Sequence, residues 1–446
     1  MHIVLLQGPA SPFFAQLAQG FAARGHRITK INFCGGCDAM WRGERPLRYR
    51  GSLEQLPDFY DELFSRERVD AVLLFGPSRP IHAAAIDAAR ARDIPAWAFD
   101  EGYFRPDWIT LDLNGAGAGS ALPRTAQRVR LLAHRLQLPP ASMPIAPGWF
   151  ERSVRDVQYR IAGAADAWRY PGYRNHRPFA AWREYLGFIR RIARDGLRRN
   201  AYRRAFAEAD TAANSGAPVF FVPLQLDHDF ALRRHSDHPD MNAALERIFD
   251  SFAGHAPPNA ILLVKRHPLD AEFVDRRRWI ARAAARRGIG DRVKYFAGGD
   301  VRRALDISRG IVTVNSTVGL QAIDRGLPVS LLGRACYAVP GLVSAQTLEQ
   351  FWHAPAPPDP ALYRAFRAAA IALTQLNGNF YSRSGRRRAV LQALDRIEAQ
   401  SAYISLLTEA EPAIQVAHVE TGQLRPAPSV HRPAGAVPRT HTKATG

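Results

Sequence analysis

Cysteine, lysine and long apolar runs are scarce in this sequence of 446 residues. Its three cysteines, Cys34, Cys37 and Cys336, are too few for a disulfide framework and are typical of a reducing compartment. No apolar run reaches the roughly eighteen residues that a membrane-spanning helix needs. The opening segment MHIVLLQGPASPFF also lacks the basic start of a signal peptide. We therefore expect a cytoplasmic protein with no transmembrane span.

The positive charge of the chain comes almost entirely from arginine, because only four lysines accompany 56 arginines in a net charge of +19. Residues 124–204 contain 18 arginines, no lysine and five acidic residues, so a net charge of +13 lies in this segment alone. A concentrated basic surface attracts nucleic acid, anionic lipid headgroups or a phosphorylated substrate. The alternative is an ordinary solvated helical face in an arginine-rich protein.

Short apolar runs alternate with helical patterns through the first hundred residues. We predict strands at 2–8, 27–33, 69–76 and 95–102, with helices between them. This alternation is typical of a parallel sheet that has helices on both faces and functional loops at the carboxyl ends of its strands. Strand signals vanish between about 122 and 212, where the arginine-rich segment has helical spacing.

The alternation resumes after residue 212 and predicts a second parallel sheet, with strands at 218–225, 260–268, 292–298, 310–317 and 327–333. The sequence therefore predicts an α/β protein of the GT-B type, in which two Rossmann-like domains with parallel sheets face a central cleft. Glycosyltransferases have this architecture, but so do epimerases and several binding proteins. We expect an N-terminal domain at 1–212, with an arginine-rich helical insertion at 122–212, and a C-terminal domain at 213–380. A C-terminal helix at 381–408 and a disordered tail at 409–446 follow.

The fourth predicted strand ends in DEGYFRP, residues 100–106. Asp100 and Glu101 are adjacent carboxylates, and in a dry cleft one of two such neighbours should have a raised pKa and carry a proton. Gly102 allows a sharp turn after the strand, and Arg105 offers a planar cation for a carboxylate or phosphate. A turn cap at Asp100 with a solvated Glu101 is the alternative, but the position at the end of a strand favours a functional role.

The first strand of the second half leads into QLDHD, residues 225–229. Alternation places Gln225, Asp227 and Asp229 on one side if the strand persists through them. A carboxylate at this position is suited to attack an anomeric carbon or to stabilise an oxocarbenium-like centre. The histidines and aspartates that follow show no metal-ligand spacing, so we expect no metal site.

Two more polar motifs follow predicted strands of the second half. KRHP, residues 265–268, comes after a strongly apolar strand, and its cations are suited to neutralise a leaving phosphate. NST, residues 315–317, lies between a strand and a helical pattern, where hydroxyls and backbone N–H groups make a phosphate cradle. An ordinary helix N-cap explains NST equally well.

CGGC, residues 34–37, invites a redox or zinc interpretation. A single cysteine pair without a second pair makes a poor zinc site. The two glycines suit a plain loop, and we predict one here.

Together, the motifs indicate a protein family. The chain resembles the capsule polysaccharide biosynthesis proteins of the KpsS/LipB type, in motif order over roughly residues 1–400, at DEGYFRPDWITLD, LQLDHD, KRHPLD, NSTVGLQAI with the following GLPV, and G-x-A-x-Y-x-x-P-G-L. This resemblance implies a GT-B fold and a retaining β-Kdo transferase that moves Kdo (3-deoxy-D-manno-octulosonic acid) from CMP-β-Kdo to lysophosphatidylglycerol. It further implies that no cofactor is needed, that the protein lies on the cytoplasmic face of the inner membrane, and that other capsule assembly proteins are its partners.

The resemblance also implies roles for individual residues. KRHP and NST become the CMP-binding elements, with nucleotide contacts from Lys265, His267, Pro268, Asn315, Ser316 and Thr317. The carboxylates of DEG and QLDHD face each other across the cleft, with Asp229 as nucleophile or ion-pair stabiliser and Asp227 as second choice. Glu101, beside Asp100, becomes the acid/base near the acceptor hydroxyl, and further substrate contacts are expected from Gly102, Arg105, Gln225 and Arg266.

Three other functions are compatible with the sequence. A basic, non-catalytic scaffold of the capsule assembly and export complex would keep the fold without binding CMP. A transferase for another CMP-sugar, such as a sialic acid, would use the same nucleotide motifs. Nucleic-acid binding would use the arginine-rich segment, with bases stacked on aromatics such as Trp149, Tyr159 and Trp168, but no RNA or DNA module is recognisable and we expect no nucleic-acid partner.

Overall fold

The computed structural model describes residues 1–136, 143–146, 148–174, 181–227 and 229–409. The tail that the sequence predicts to be disordered lies outside the described residues except for its first residue, and so does His228 of the QLDHD segment.

The first sheet has seven strands and builds the N-terminal half. They are β1 His2–Leu5, β2 Arg27–Asn32, β3 Leu47–Arg48, β4 Ala71–Phe75, β5 Ala96–Glu101, β6 Trp108–Leu113 and β12 Gln375–Asn377. Their order is β12–β6–β5–β4–β1–β2–β3, and the neighbours from β5 to β3 are parallel. The four strands predicted from the first hundred residues are confirmed. Every side chain of β1 and β4 is buried, as expected for strands covered by helices on both faces.

The second sheet has five parallel strands and builds the C-terminal half. They are β7 Val219–Pro223, β8 Ile261–Lys265, β9 Val293–Phe296, β10 Gly310–Thr313 and β11 Val329–Leu331, in the order β11–β10–β7–β8–β9. All five predicted strands are confirmed, and two Rossmann-like halves with parallel sheets give the chain the GT-B fold.

Helices cover both sheets and fill the arginine-rich segment. They are α1 Phe13–Ala23, α2 Gly35–Met40, α3 Leu56–Arg66, α4 Pro80–Arg90, α5 Ala126–Arg135, α6 Trp149–Ala165, α7 Ala181–Asn214, α8 Phe230–Arg234, α9 Met241–His255, α10 Arg276–Ala285, α11 Val301–Asp306, α12 Val318–Ile323, α13 Leu348–Phe351, α14 Pro360–Thr374, α15 Arg383–Glu398 and α16 Gln400–Glu409. Within the described residues, none of them is both long enough and apolar enough to cross a membrane.

The sequence DEGYFRPDWITLD forms a β-hairpin, which the sequence analysis did not predict. After β5 the chain turns back and β6 pairs with it in antiparallel register, with Asp100 opposite Thr110 and Glu101 opposite Ile109. All six residues of β6 are buried, and its Trp, Ile and Thr side chains favour a strand. The two carboxylates are therefore held by a strand on one side rather than lying at the start of a free loop.

The C-terminal residues return to the first sheet. β12 pairs with β6 in antiparallel register, so the edge of the N-terminal sheet is supplied from the far end of the chain. Two helices follow, α15 and α16, where the sequence predicts a single helix. Arg24, which follows α1, pairs with Glu398 of α15 at 2.6 Å, and the rings of Trp97 and Tyr403 of α16 lie 5.0 Å apart, which fixes both helices on the N-terminal half.

Candidate functional site

The carboxyl edge of the first sheet carries a row of polar side chains. Asp100 and Glu101 end β5, Arg79 follows β4 and Gln7 follows β1, and these three strands are neighbours in the sheet. Arg79 Nη1 donates to Gln7 Oε1 at 2.8 Å, while the Arg79 guanidinium lies 5.1 Å from the centre of the Phe75 ring. Ligands of parallel α/β sheets bind at this kind of edge.

Asp100 is the acid of this row whose pKa is perturbed. Burial raises the pKa of Asp100 to about 6. The Glu101 N–H, which donates to Asp100 Oδ1 at 2.8 Å, opposes that rise, whereas the negative charge of Glu101 adds to it. The expectation that one of the two adjacent carboxyl groups has a raised pKa is confirmed, and that group is Asp100.

Glu101 contacts the arginine-rich helix α6. Glu101 Oε1 lies 3.3 Å from Arg152 Nη2, and the Glu101 side chain keeps 27% of its surface exposed. The Arg152 guanidinium lies 5.0 Å from the centre of the Tyr381 ring. Burial, followed by the charge of Glu101, raises the pKa of Tyr381 to about 12, so that its hydroxyl stays protonated. A partly exposed carboxylate beside a cation and a phenol is suited to accept a proton from a bound hydroxyl.

The hairpin turn fixes these two carboxyl groups. A Cβ atom on Gly102 would lie 2.0 Å from the Trp108 carbonyl oxygen, so only glycine allows the two strands to approach so closely here. Arg105 is exposed, and its Nε donates to the Gly102 carbonyl oxygen at 3.2 Å. The terminal nitrogens of Arg105 therefore lie beside the turn, next to the carboxylates.

A reciprocal amide pair joins two loops at the carboxyl edge of the second sheet. Gln225 Nε2 donates to Asn315 Oδ1 at 2.7 Å, and the Asn315 N–H donates to Gln225 Oε1 at 3.1 Å. Gln225 follows β7 and Asn315 follows β10, the adjacent strand. Two residues from separate predicted motifs are thus brought together.

The two hydroxyl groups of the NST motif, on Ser316 and Thr317, differ in their hydrogen bonds. Ser316 Oγ accepts a hydrogen bond from the Val318 N–H at 3.2 Å, and the Ser316 carbonyl oxygen accepts one from the Tyr337 hydroxyl. Thr317 is the N-cap residue of α12, yet its side chain caps no N–H group. The Thr317 hydroxyl makes no hydrogen bond to the part of the chain that the structure describes, which leaves it available to a ligand.

Lys265 and Arg266 of KRHP point into the protein. Lys265 is 4% exposed, with its Nζ 5.6 Å from the centre of the Phe296 ring, and burial, aided by the charge of Arg266, lowers its pKa. Arg266 is also 4% exposed and pairs with Asp195 of α7 and with Glu272, the latter at 3.2 Å. The expected substrate contact of Arg266 is therefore replaced by a buried ion cluster that ties the loop after β8 to α7.

His267 and Pro268 form the outer part of KRHP. The Leu269 N–H donates to His267 Nδ1 at 3.1 Å, so the neutral ring carries its proton on Nε2. The Pro268 carbonyl oxygen accepts a hydrogen bond from Arg191 Nη1 of α7 at 2.6 Å. The loop thus offers an imidazole N–H donor from a fixed backbone.

The QLDHD segment is a turn and not the extension of a strand. β7 ends at Pro223, and the Asp229 N–H donates to the Leu226 carbonyl oxygen at 3.0 Å just before α8. The alternation expected for residues 225–229 is therefore wrong. Asp227 pairs through Oδ2 with the buried Arg276 of α10, whereas Asp229 is partly buried in the turn. No group of three His, Cys, Asp or Glu side chains suited to a metal ion occurs within the described ranges.

The second edge brings the NST and KRHP loops onto nearby strands. β10, β7 and β8 are consecutive in the sheet, and neighbouring strands lie about 4.8 Å apart, so the loops with Thr317 and His267 start roughly 10 Å apart. Hydroxyl and amide groups lie at one end of this span and an imidazole N–H at the other. The groups are suited to a phosphate and the nucleoside attached to it.

Three residues at the first edge were missed by the sequence analysis: Gln7, Arg79 and Arg152. For Gln7 a signal was available, because it follows the first strand of its half as Gln225 follows the first strand of the second half. Arg152 lacked such a signal, since its partner Glu101 is distant in sequence and the helix carries many arginines.

CGGC begins helix α2 and does not form the predicted loop. Cys34 Sγ and Cys37 Sγ lie 3.4 Å apart, and the Tyr159 hydroxyl of α6 lies 3.1 Å from Cys34 Sγ. A Cβ atom on Gly35 would lie 2.3 Å from the Ala162 carbonyl oxygen, so the glycine allows α6 to pack closely on α2. The motif therefore supports the helix that carries Arg152.

Comparison with known proteins identifies relatives over most of the chain. Residues 70–381 match the family described as capsule polysaccharide biosynthesis protein. The chain is 34% identical over 391 residues to the capsule polysaccharide modification protein LipB of Neisseria meningitidis serogroup A, which covers 85% of this chain and 92% of LipB. It is 30% identical over 382 residues to the capsule polysaccharide export protein KpsS of Escherichia coli, which covers 85% of this chain and 96% of KpsS.

A solved structure is similar at the level of the fold. The β-Kdo 2,7-transferase KpsC of Thermosulfurimonas dismutans aligns with a TM-score of 0.41 and 13% identity, covering 90% of this chain and 100% of that one. This similarity is too weak to inform on the site. The family match over more than half of the chain, with the identities to LipB and KpsS, shows that the chain belongs to the capsule polysaccharide biosynthesis protein family.

Proposed function

We propose that the protein is a retaining β-Kdo transferase, which moves Kdo from CMP-β-Kdo to a lysophosphatidylglycerol acceptor and so initiates the poly-Kdo linker of a capsular polysaccharide. Membership of the capsule family supports the biological role. The observation that carries the proposal is the chemical contrast between the two sheet edges. Hydroxyl, amide and imidazole groups lie beside Asp229 at the carboxyl edge of the second sheet, and the adjacent carboxyl groups of Asp100 and Glu101 end β5 of the first.

The second sheet supplies the donor site in this proposal. The Thr317 hydroxyl and the His267 Nε2–H group bind the phosphate of CMP, while the Gln225–Asn315 pair ties the loop that carries Thr317 to the loop after β7. Donors fixed by the protein neutralise the charge that develops on a leaving phosphate without reorganising during the reaction. Lys265 and Arg266, which are buried beneath this site, act as positioning residues.

The first reaction step replaces CMP by an enzyme carboxylate. An Asp229 oxygen attacks the anomeric carbon of Kdo, and the bond from that carbon to the phosphate oxygen breaks, with its electron pair leaving on CMP. Asp227, which pairs with the buried Arg276, is the second choice for this role. Arg105 binds the carboxylate of Kdo.

The second step transfers Kdo to the acceptor. The acceptor hydroxyl attacks the anomeric carbon, the bond to Asp229 breaks, and Glu101 takes the hydroxyl proton. Two inversions at one carbon give net retention. Asp100, whose pKa burial raises to about 6, accepts the Glu101 N–H and so fixes the backbone that carries Glu101.

The proposed lipid acceptor also implies a location in the cell. An anionic phospholipid acceptor implies peripheral attachment to the cytoplasmic face of the inner membrane, beside other capsule assembly proteins. The positive charge of residues 124–204 supports attraction to such a surface.

The test is a transfer assay with CMP-Kdo, generated in situ, and fluorescent lysophosphatidylglycerol, read by mass spectrometry. We expect the wild type to add one Kdo, and Asp229→Asn and Glu101→Gln each to lower the rate by about 10²- to 10⁴-fold. Asp237→Asn is the matched control, because Asp237 is an exposed acid eight residues after Asp229, and this variant should keep full activity.

Two results would contradict the proposal. Product from CMP-sialic acid but none from CMP-Kdo would assign another donor. No product from either donor, with capsule assembly intact in cells that carry Asp229→Asn, would assign the non-catalytic scaffold role.

A further inference from the structure

Exposed apolar side chains are concentrated on one part of the molecule. Among the described residues, sixteen large apolar side chains are exposed, and eleven of them lie between Met143 and Leu197. A soluble monomer rarely leaves such a cluster uncovered, and a contiguous patch marks an interaction site.

Helix α6 presents an apolar stripe to solvent. Its members are spaced four, three and four residues apart, which places them on one side of a helix, and they are exposed by 82%, 47%, 39% and 65%: Phe150, Val154, Val157 and Ile161. The opposite side of α6 faces the protein, where Arg152 meets Glu101 and Tyr159 meets the buried cysteines. The helix is therefore amphipathic with its apolar face outward, the reverse of a helix that covers a core.

Helix α7 carries a second set of exposed apolar side chains. Its exposed apolar side chains reach 36%, 64%, 65% and 88% exposure at Leu186, Ile189, Ile192 and Leu197. The two helices are joined by Arg160 Nη1 of α6 and Glu184 Oε2 of α7, 2.6 Å apart and almost buried. The eight side chains of the two stripes are called the docking face below.

Arginines surround the apolar part of α7. Four of them are exposed and form no salt bridge within the part of the chain that is described: Arg190, Arg199, Arg203 and Arg204. A groove of about 380 Å³ opens on the same helix and combines Arg190 and Arg194 with Leu186 and Phe273. Arginines next to apolar side chains are suited to a partner that has an anionic outer layer over an apolar interior.

We propose that the docking face inserts into the headgroup and acyl boundary of an anionic lipid bilayer. Interfacial helices bind in this way, through an apolar face with arginines beside it, and each near-surface cation adds attraction to anionic lipid. A second copy of the chain is a poorer occupant, because a two-fold interface would set the arginines of one copy against those of the other.

The docking face lies directly behind the candidate site. The inner side of α6 carries Arg152 on Glu101, and the inner side of α7 carries Asp195 on Arg266 of the donor loop. A helix is about 10 Å thick, so the bilayer surface would lie roughly that far from Glu101. This link between docking and acceptor delivery rests on the proposed function, but vesicle binding itself does not.

The test is co-sedimentation of the full chain with vesicles of phosphatidylcholine alone or mixed with phosphatidylglycerol. We expect the wild type to bind the mixed vesicles and to prefer them over neutral ones. A four-site variant should bind about 100-fold more weakly, because it loses most of the inserted apolar area; its changes are Phe150→Ser, Ile161→Ser, Ile189→Ser and Leu197→Ser. Leu391→Ser, at a 50% exposed site on α15 that is not part of the docking face, is the matched control and should bind as the wild type does.

Tryptophan fluorescence gives a second measurement on the same vesicles. Trp149 and Trp168, which are 71% and 77% exposed, flank the α6 stripe. We expect their emission to shift to shorter wavelength on vesicle binding, and the shift to be lost in a variant with Trp149→Phe and Trp168→Phe.

Three outcomes would overturn the inference: no sedimentation of the wild type with mixed vesicles, equal sedimentation of the four-site variant, or a wild-type dimer that the variant lacks without any vesicle binding. CMP binding and transfer to a short, water-soluble acceptor separate this inference from the proposed function. If only the docking inference is wrong, CMP binding and transfer to the soluble acceptor both persist. If only the proposed function is wrong, the protein still binds vesicles but transfer is absent.

Discussion

Replacing Glu272 by glutamine should destabilise the C-terminal half and should lower the affinity for CMP that we propose. The Glu272 carboxylate is fully buried and lies 3.2 Å from Arg266, 3.4 Å from Arg194 and 3.5 Å from Arg198. Glutamine has nearly the same shape but no charge. The change therefore removes the anion while leaving the buried Arg266 with Asp195 as its remaining acidic partner.

The size of the effect follows from burial. Removing one partner of a buried ion pair costs about 3–5 kcal/mol, because the other charge stays desolvated. Arg194 and Arg198 are 38% and 19% exposed and recover part of their hydration, and Asp195 still pairs with Arg266. We therefore expect a loss near the lower end, about 3 kcal/mol in the free energy of unfolding.

Urea denaturation monitored by circular dichroism measures this loss. Calorimetry in the absence of urea measures the CMP affinity. Asp87→Asn is the control, since Asp87 forms an exposed pair with Arg90 and its loss should cost at most about 0.5 kcal/mol. CMP should bind more weakly to Glu272→Gln because the ion cluster positions the loop with His267. Equal stabilities of the two variants would refute the role of the buried cluster, and unchanged CMP affinity would refute its link to the donor site.

Three further predictions test other parts of the structure. Burial raises the pKa of Asp112 to about 7, above its ordinary value of 3.8, so the free energy of unfolding should fall by up to about 4 kcal/mol as pH rises from 4 through 7; Asp112→Asn should flatten this dependence in urea titrations at several pH values, and an unchanged slope would contradict it. Thr317→Val should weaken CMP binding about tenfold in calorimetry without changing the melting temperature, because the hydroxyl has no partner in the described chain; equal affinity would exclude it as a phosphate donor. Gly102→Ala should lower both the melting temperature and the transfer rate, since its Cβ would lie 2.0 Å from the Trp108 carbonyl oxygen, and a fully active, stable variant would show that the hairpin can yield there.

Local patterns were sufficient to predict both parallel sheets. Short apolar runs such as AVLLF and ILLV favour strands buried on both faces, and polar residues mark where each strand ends. The same logic placed Gln225, His267 and Asn315 at one sheet edge, and the structure shows Gln225 and Asn315 in contact.

Features that depend on distant partners could not be predicted. β12 has only three residues, and its pairing with β6 joins positions far apart in the chain. Arg266 was expected to face the substrate, since the sequence does not show that Asp195 and Glu272 would surround it. The alternation assumed after β7 failed because the strand ends at Pro223 and the Asp229 N–H donates back to the Leu226 carbonyl oxygen, a change of direction that no glycine in this segment marks.

A crystal structure of the protein with CMP bound tests the central claim most directly. We expect the phosphate within hydrogen-bond distance of Thr317 Oγ1 and His267 Nε2, at the carboxyl ends of β8 and β10. CMP bound anywhere else, or bound with its phosphate out of reach of both side chains, would contradict it.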